Sequence, residues 1–238
     1  MYVTEDKVFL HMVKSAGISV HQGLINSEQT INFNMRHASI NLLPEKYKNF
    51  ERYTVIRKPE DWYKSFYKFF YNVEGYLSFM LKDPLPADEN GIVYLKPLDF
   101  NEFVRRSINF KDTLIKYPNK ARVFNNILRS QGNIHFITSY FDTAIDIDKD
   151  NNFGDLTTLD QFDMSLYEFF WKNIGGDTAI NIPMNRLDKV EEIFNIKIPH
   201  SNKTKNKIEA NYDVDTLKLV RKTHEKFYKI YEEGQKIW

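Results

Sequence analysis

Cysteine is absent from the 238 residues, so the chain has no disulfide scaffold, thiolate zinc site, iron–sulfur cluster or cysteine nucleophile. An excess of one charge is also missing, because 33 basic residues balance 32 acidic ones. This balance gives no general attraction to nucleic acid or to a membrane surface, and we expect neither partner. No apolar run approaches the roughly 20 residues of a membrane-spanning helix. Residues 1–6 lack the pattern of a signal peptide, so we expect a cytoplasmic protein.

What the chain does contain is a large apolar fraction, 42% of its residues, with 15% aromatic residues, which argues against disorder. Short apolar runs alternate with helical patterns. The predicted strands are residues 7–11, 53–56, 133–138 and 178–182, with strand-like character in 143–152 and one short strand in the loop 82–97. The predicted helices are 18–25, 60–72, 100–107, 121–130, 165–172, 187–194 and 214–233. Such alternation predicts one α/β domain over residues 1–238, with a central parallel sheet flanked by helices.

The helix predicted over residues 60–72 carries many aromatic side chains, and core packing is their expected role. Its main stripe is Trp62, Phe66, Phe69 and Phe70, beside a second stripe of Tyr63, Tyr67 and Tyr71. The last predicted helix buries Leu217, Val220, His224, Phe227 and Tyr231 in the same way. Asn185 is a candidate cap for the helix over 187–194.

Candidate ligand-binding residues follow the first strand, since ligands of parallel sheets bind at the carboxyl ends of strands. Residues 11–19 read His-Met-Val-Lys-Ser-Ala-Gly-Ile-Ser, a turn of small residues that leads into a helix. Backbone N–H groups and the helix N-terminus favour an anion there, and Lys14 adds a full positive charge. The segment is not a Walker A loop, because its lysine precedes Gly17. The alternative interpretation is an ordinary turn with a surface lysine.

A second candidate anion position follows the next strand, at Arg57. Ser65 lies eight residues further on, which is about two helical turns. Arg57 offers a planar guanidinium to a phosphate group and Ser65 a hydroxyl. Together with the Lys14 loop, these residues predict a site with two separated anion positions.

The loop of residues 11–19 resembles the H-x-P-K-(S/T)-G-G-T-S loop of sulfotransferases that use 3′-phosphoadenosine 5′-phosphosulfate (PAPS). Residues 53–65 resemble the segment of that family that holds the 3′-phosphate, with the same Arg-to-Ser spacing. Residues 200–205 are similar to its late N-K-(S/T) cofactor loop. The chain departs from the family pattern at Val13, Ala16, Lys58 and Trp62, where the family has proline, glycine, asparagine and arginine. Residues 183–186 also stand where the family has its late R-F-E segment.

The resemblance implies a P-loop-NTPase-like three-layer domain that binds PAPS, without a metal requirement. The cofactor-binding residues it implies are Lys14, Ser15, Ala16, Gly17, Ile18, Ser19, Arg57, Ser65, Lys203, Thr204 and Lys205. It implies sulfuryl transfer to a hydroxyl or amine of a small-molecule or glycan acceptor, as in the carbohydrate branch of the family. Lys14 is the candidate that stabilises the leaving phosphate oxygen.

A general base must take the proton of the acceptor, and two residues are candidates. His37 lies in a segment similar to a short H-A-(S/T) segment of the family. Glu28 is the alternative, since some members use a glutamate soon after the lysine loop. We favour His37, because a neutral imidazole suits this role near pH 7 without a shifted pKa.

Two other function classes remain open at this point. Asp146 and Asp148 resemble the D-x-D motif of metal-dependent glycosyltransferases, and the same stretch begins like a calcium loop. That loop would need glycine and glutamate where the chain has Asn151 and Thr157, so an acidic turn in solvent is the expected structure. The other alternative is a nucleotide-binding or carbohydrate-binding module without catalysis.

Overall fold

A computed structural model describes residues 1–27, 31–34, 40–71, 82–84, 95–116, 163–199 and 208–238. These residues form a mixed α/β structure with an open five-stranded sheet and a separate two-stranded sheet. The α/β class is therefore confirmed. The strand predicted at 133–138, the strand-like stretch 143–152 and the helix at 121–130 lie outside the described residues.

The five-stranded sheet has the order β3-β1-β2-β4-β7. The strands of both sheets are β1 (Tyr2–Val3), β2 (Lys7–Leu10), β3 (Phe33–Asn34), β4 (Glu51–Ile56), β5 (Lys82–Pro84), β6 (Leu95–Pro97) and β7 (Ile180–Pro183). Strand β4 pairs in parallel with β2 on one side and with β7 on the other. Leu10 lies opposite Thr54, and Ile56 lies opposite Pro183, so the three strands end at one edge.

The prediction of a parallel sheet is wrong for β1 and β3, because β1 runs antiparallel to both β2 and β3. Only three residues connect β1 to β2, and the Thr4 N–H donates to the Lys7 carbonyl at 3.0 Å. Such a tight turn allows antiparallel pairing, whereas a parallel pair needs a long crossover. The loop predicted over 82–97 also contains two strands rather than one, since β5 and β6 pair antiparallel.

The described residues contain eight α-helices. They are α1 (Gly17–Asn26), α2 (Pro59–Phe70), α3 (Phe100–Ile108), α4 (Phe110–Lys116), α5 (Leu166–Ile174), α6 (Leu187–Phe194), α7 (Val214–Thr223) and α8 (Glu225–Ile237). Proline occupies the first turn of α2, and the side chains of Asp99, Ser165 and Asp213 cap α3, α5 and α7. These caps accept hydrogen bonds from N–H groups that have no partner within the helix.

Helices pack on both faces of the sheet, because successive strand residues bury opposite sides. Val8 and Leu10 of β2 belong to one core cluster with α2, α3, α5, α7 and α8, as does Ile56 of β4. Phe9 of β2 belongs to the other cluster, with Val20 of α1 and further apolar residues of α6. The expected core role of Trp62, Tyr63, Phe66 and Tyr67 is confirmed, since each is buried.

Two predicted helix details are wrong. The helix predicted over 214–233 is two helices, because the backbone leaves helical geometry at His224, with φ −108° and ψ 23°. The His224 ring is bound to Tyr63 on α2, at 3.1 Å from Nε2 to the hydroxyl oxygen. Asn185 does not cap α6, since its side-chain oxygen accepts a hydrogen bond from the Tyr231 hydroxyl at 2.9 Å.

Candidate anion-binding site

Parallel pairing of β2 and β4 brings the Lys14 loop and Arg57 together, since the two segments leave neighbouring strands at one edge of the sheet. Arg57 Nη1 donates a hydrogen bond of 3.2 Å to the Lys14 carbonyl oxygen. The Arg57 carbonyl oxygen in turn accepts from the Tyr167 hydroxyl at 2.7 Å. The structure therefore places Arg57 beside the Lys14 loop, with its side chain bound to the loop and its carbonyl bound to α5.

The loop has an unusual backbone conformation at two non-glycine residues. Lys14 has φ 63° and Ala16 has φ 59°, both in the left-handed region. Such residues cost free energy and persist where surrounding contacts fix them. The first backbone bond of α1 runs from Val20 N–H to the Ala16 carbonyl, so the N–H groups of residues 17–19 precede the helical ladder. N–H groups of this kind at a helix start suit a bound anion.

Gly17 is required at the start of α1 by the close approach of His11. A Cβ atom at this position would lie 1.6 Å from Cδ2 of the His11 ring, which is far inside contact distance. His11 itself is buried at the end of β2 and stacks on Tyr2, with 6.2 Å between ring centroids. The histidine ring therefore packs against the start of α1 and has a structural role.

Ser15 carries the clearest polar signal in the loop. Its side chain is buried, and its Oγ atom has no hydrogen-bond partner among the described residues. A buried hydroxyl without a partner is unfavourable, and a ligand or an ordered water that binds Ser15 Oγ would complete it. Ser15 lies between the two left-handed residues, and its own N–H donates to the Met12 carbonyl at 3.3 Å.

Trp62 also holds the loop, and the sequence analysis did not predict this role. The indole Nε1 donates a hydrogen bond of 2.6 Å to the Val13 carbonyl oxygen. The indole is buried, so its N–H needs such a partner. A tryptophan on the buried face of a helix predicts that its N–H has a hydrogen-bond acceptor, but the sequence does not show which group accepts.

The Lys14 ammonium lies over the ring of Phe69 on α2, with 3.9 Å from Nζ to the ring centroid. Burial and the nearby Arg57 charge lower the pKa of Lys14 to about 8. Burial also lowers the pKa of Arg57, although Asp61 acts in the opposite direction. Among the described residues, no carboxylate forms an ion pair with Lys14 or Arg57. Within the described part of the chain, the site therefore holds two neighbouring positive charges that form no ion pair, although Asp61 acts on Arg57 electrostatically.

Ser65 lies on the same side of α2 as Trp62 and Phe69, because three and four residues separate them along the helix. The residue is half-buried, and its hydroxyl makes no hydrogen bond to Arg57 in the described part of the chain. The structure thus places Ser65 on the loop-facing side of α2 without joining it to the guanidinium.

The remaining predicted site residues lie outside the described ranges. They are the candidate bases Glu28 and His37, the late-loop residues Lys203, Thr204 and Lys205, and the acidic pair Asp146 and Asp148. Their roles stay predictions. Within the described residues, no cluster of His, Asp or Glu side chains is suited to hold a metal ion. No helix in that part of the chain has the length and apolar character needed to cross a membrane.

Comparisons with protein-family models, with curated proteins and with solved structures return no match to this chain. The interpretation of the site therefore rests on its residues and geometry.

Proposed function

We propose that this protein is a sulfotransferase that moves a sulfuryl group from PAPS to an acceptor hydroxyl or amine. The observation that carries the proposal is the hydrogen bond from Arg57 to the Lys14 carbonyl, which joins two positively charged residues at the ends of adjacent parallel strands. No described carboxylate forms an ion pair with either side chain. PAPS carries negative groups at its 5′ and 3′ positions, so it would supply charge to both residues. Resemblance of both segments to the sulfotransferase motifs supports the same choice.

The residues fit the two ends of this ligand. In the proposal, the loop of residues 14–19 holds the 5′-phosphosulfate with backbone N–H groups, the Ser15 hydroxyl and the Lys14 ammonium. Arg57 holds the 3′-phosphate, and Ser65 adds a hydroxyl from α2. Lys203, Thr204 and Lys205 also bind the cofactor in this proposal, by resemblance to the late cofactor loop of the family. The β2–loop–α1 unit beside β4 would then be a P-loop-like arrangement within a mixed sheet.

PAPS supplies an activated sulfuryl group whose bond to the 5′-phosphate oxygen breaks as a new bond to the acceptor oxygen or nitrogen forms. The leaving phosphate oxygen gains the electron pair, and Lys14 stabilises the charge that develops there. His37 takes the acceptor proton, with Glu28 as the alternative base. We propose a glycan or hydroxylated small molecule as the acceptor, by resemblance to the carbohydrate branch, and no metal requirement.

Transfer of labelled sulfur from PAPS to a panel of sugars and phenols, in the presence of a chelator, tests the proposal. We expect transfer by the wild type and its loss in Lys14→Ala. Binding of PAPS without transfer to any acceptor would favour a non-catalytic module. Nucleotide-sugar turnover that a chelator abolishes would instead favour the glycosyltransferase alternative.

A comparison of His37→Ala with Glu28→Gln tests which residue is the general base. His37→Ala is expected to reduce kcat by about 100- to 10,000-fold, the usual effect of a lost general base, and to leave nucleotide affinity unchanged. Full turnover in His37→Ala combined with loss of turnover in Glu28→Gln would transfer this role to Glu28.

A further inference from the structure

The Lys14 ammonium has an aromatic ring as its direct contact partner, Phe69, at 3.9 Å from Nζ to the ring centroid. We propose that Phe69 is a positioning residue that holds the Lys14 side chain at the anion site in its charged form. The contact itself is independent of the ligand; only its use in binding a nucleotide rests on the proposed function. The negative face of an aromatic ring attracts an ammonium group, and more strongly where water is partly excluded.

The ring is held in place by the helix that also fixes the loop. Phe69 and Trp62 are seven residues apart on α2, which places them on one face of the helix. Trp62 binds the Val13 carbonyl, and Phe69 contacts the side chain of the next residue in the chain. The same helix face therefore sets both the backbone of the loop and the place of its ammonium.

The other charged and titratable groups near Lys14 do not stabilise its charge directly. Arg57, from the end of β4, acts against the ammonium. Asp61 of α2, Tyr167 of α5 and Tyr231 of α8 act on Arg57. The Phe69 ring is thus the described contact that favours the charged lysine, and a pKa of about 8 makes the charged fraction sensitive to its removal.

The test compares Phe69→Leu, which keeps an apolar side chain but removes the ring, with Phe69→Tyr, which keeps the ring face. The rate of Lys14 acetylation is followed against pH by peptide mass spectrometry, without any ligand. We expect Phe69→Leu to lower the midpoint of the Lys14 acetylation profile by about 0.5 pH unit, and Phe69→Tyr to leave this midpoint unchanged. Lys58 in the same digest is the internal control, and Phe66→Leu, one turn earlier on α2, reports general loosening of the helix.

Titration with adenosine 3′,5′-bisphosphate gives the second measurement. The affinities of wild type and Phe69→Leu are expected to agree at pH 6.5 and to differ by about threefold at pH 8.5. An unchanged acetylation midpoint in Phe69→Leu would overturn the proposal, as would an equal fall in Phe69→Tyr or Phe66→Leu. If the wild type binds no bisphosphate at any pH, the proposed function fails, whereas the acetylation midpoints still decide the role of Phe69.

Discussion

The indole N–H of Trp62 donates a hydrogen bond of 2.6 Å to the carbonyl oxygen of Val13, the residue before the lysine of the anion loop. Lys14 follows in a left-handed conformation, and its own carbonyl accepts from Arg57. Two successive carbonyl groups are therefore held by side chains that follow β4. This arrangement connects the aromatic core directly to the geometry of the loop.

Trp62→Phe is expected to weaken both the fold and the site. The substitution leaves the Val13 carbonyl without its donor and removes part of a buried ring, which together cost about 2–3 kcal/mol of the free energy of unfolding. Release of the loop is expected to lower bisphosphate affinity about tenfold, which corresponds to about 1.4 kcal/mol. Denaturant unfolding and calorimetric titration measure the two effects.

Trp171→Phe is the matched control, because this buried indole donates to Asp177 rather than to the loop. The Trp171→Phe variant is expected to be less stable than the wild type and to bind the bisphosphate with unchanged affinity. Equal bisphosphate affinities in wild type and Trp62→Phe would show that the Trp62 hydrogen bond does not influence the binding site.

Ser15→Ala is expected to act in opposite directions on stability and binding. Removal of a buried hydroxyl without a described partner leaves the free energy of unfolding unchanged or raises it by up to about 1 kcal/mol. Loss of a hydrogen bond to a charged ligand lowers bisphosphate affinity by about 10- to 100-fold. Ser165→Ala is the contrasting control, because this buried serine caps α5 and its loss costs about 1 kcal/mol. Clear destabilisation by Ser15→Ala would mean that its hydroxyl already has a partner.

Arg57→Ala is expected to weaken bisphosphate binding by about 10- to 100-fold, because a charged hydrogen-bond donor to the 3′-phosphate is lost. Binding of 5′-AMP, which lacks that phosphate, is expected to change little. Arg52→Ala is the matched control on the same strand, since Arg52 lies near the start of β4 and donates to Thr178 at 3.0 Å. An equal loss of affinity for both nucleotides in Arg57→Ala would show that Arg57 does not bind the 3′-phosphate.

His224 makes stability depend on pH. Burial lowers its pKa to about 4 from the ordinary value of 6.5. Between pH 4 and pH 6.5 the imidazole is protonated in the unfolded chain but not in the folded chain. The free energy of unfolding is therefore highest above pH 6.5 and falls as the pH drops toward 4. The expected loss is about 3 kcal/mol. Denaturant unfolding of His224→Gln across this window should give a flatter curve than the wild type, although its stability at pH 7 is lower. Parallel curves would show that His224 is not the group responsible.

The sequence predicts the three parallel strands β2, β4 and β7 but not the antiparallel strands β1 and β3. Strands β2 and β4 are short apolar runs that precede helical patterns, and this order favours parallel pairing. Strands β1 and β3 have two residues each, too few for any periodicity to appear. His224 interrupts the last predicted helix without glycine or proline, while the apolar spacing of Val220, Phe227 and Tyr231 continues through the break.

The candidate site shows the same division. Lys14 and Arg57 are predictable as neighbours, because each follows a strand of a parallel pair. The contacts of Trp62 and Phe69 are not predictable, since helical spacing places them on a face without showing what lies opposite. The left-handed backbone of Lys14 is also hidden, because that conformation is uncommon outside glycine.

The central claim is a site with two anion positions, and calorimetric titration of the wild-type protein with two nucleotides in the presence of a chelator tests it most directly. Adenosine 3′,5′-bisphosphate is expected to bind at least about tenfold more tightly than 5′-AMP, because it reaches both Lys14 and Arg57. Equal affinity for the two nucleotides, or binding of neither, would contradict the account.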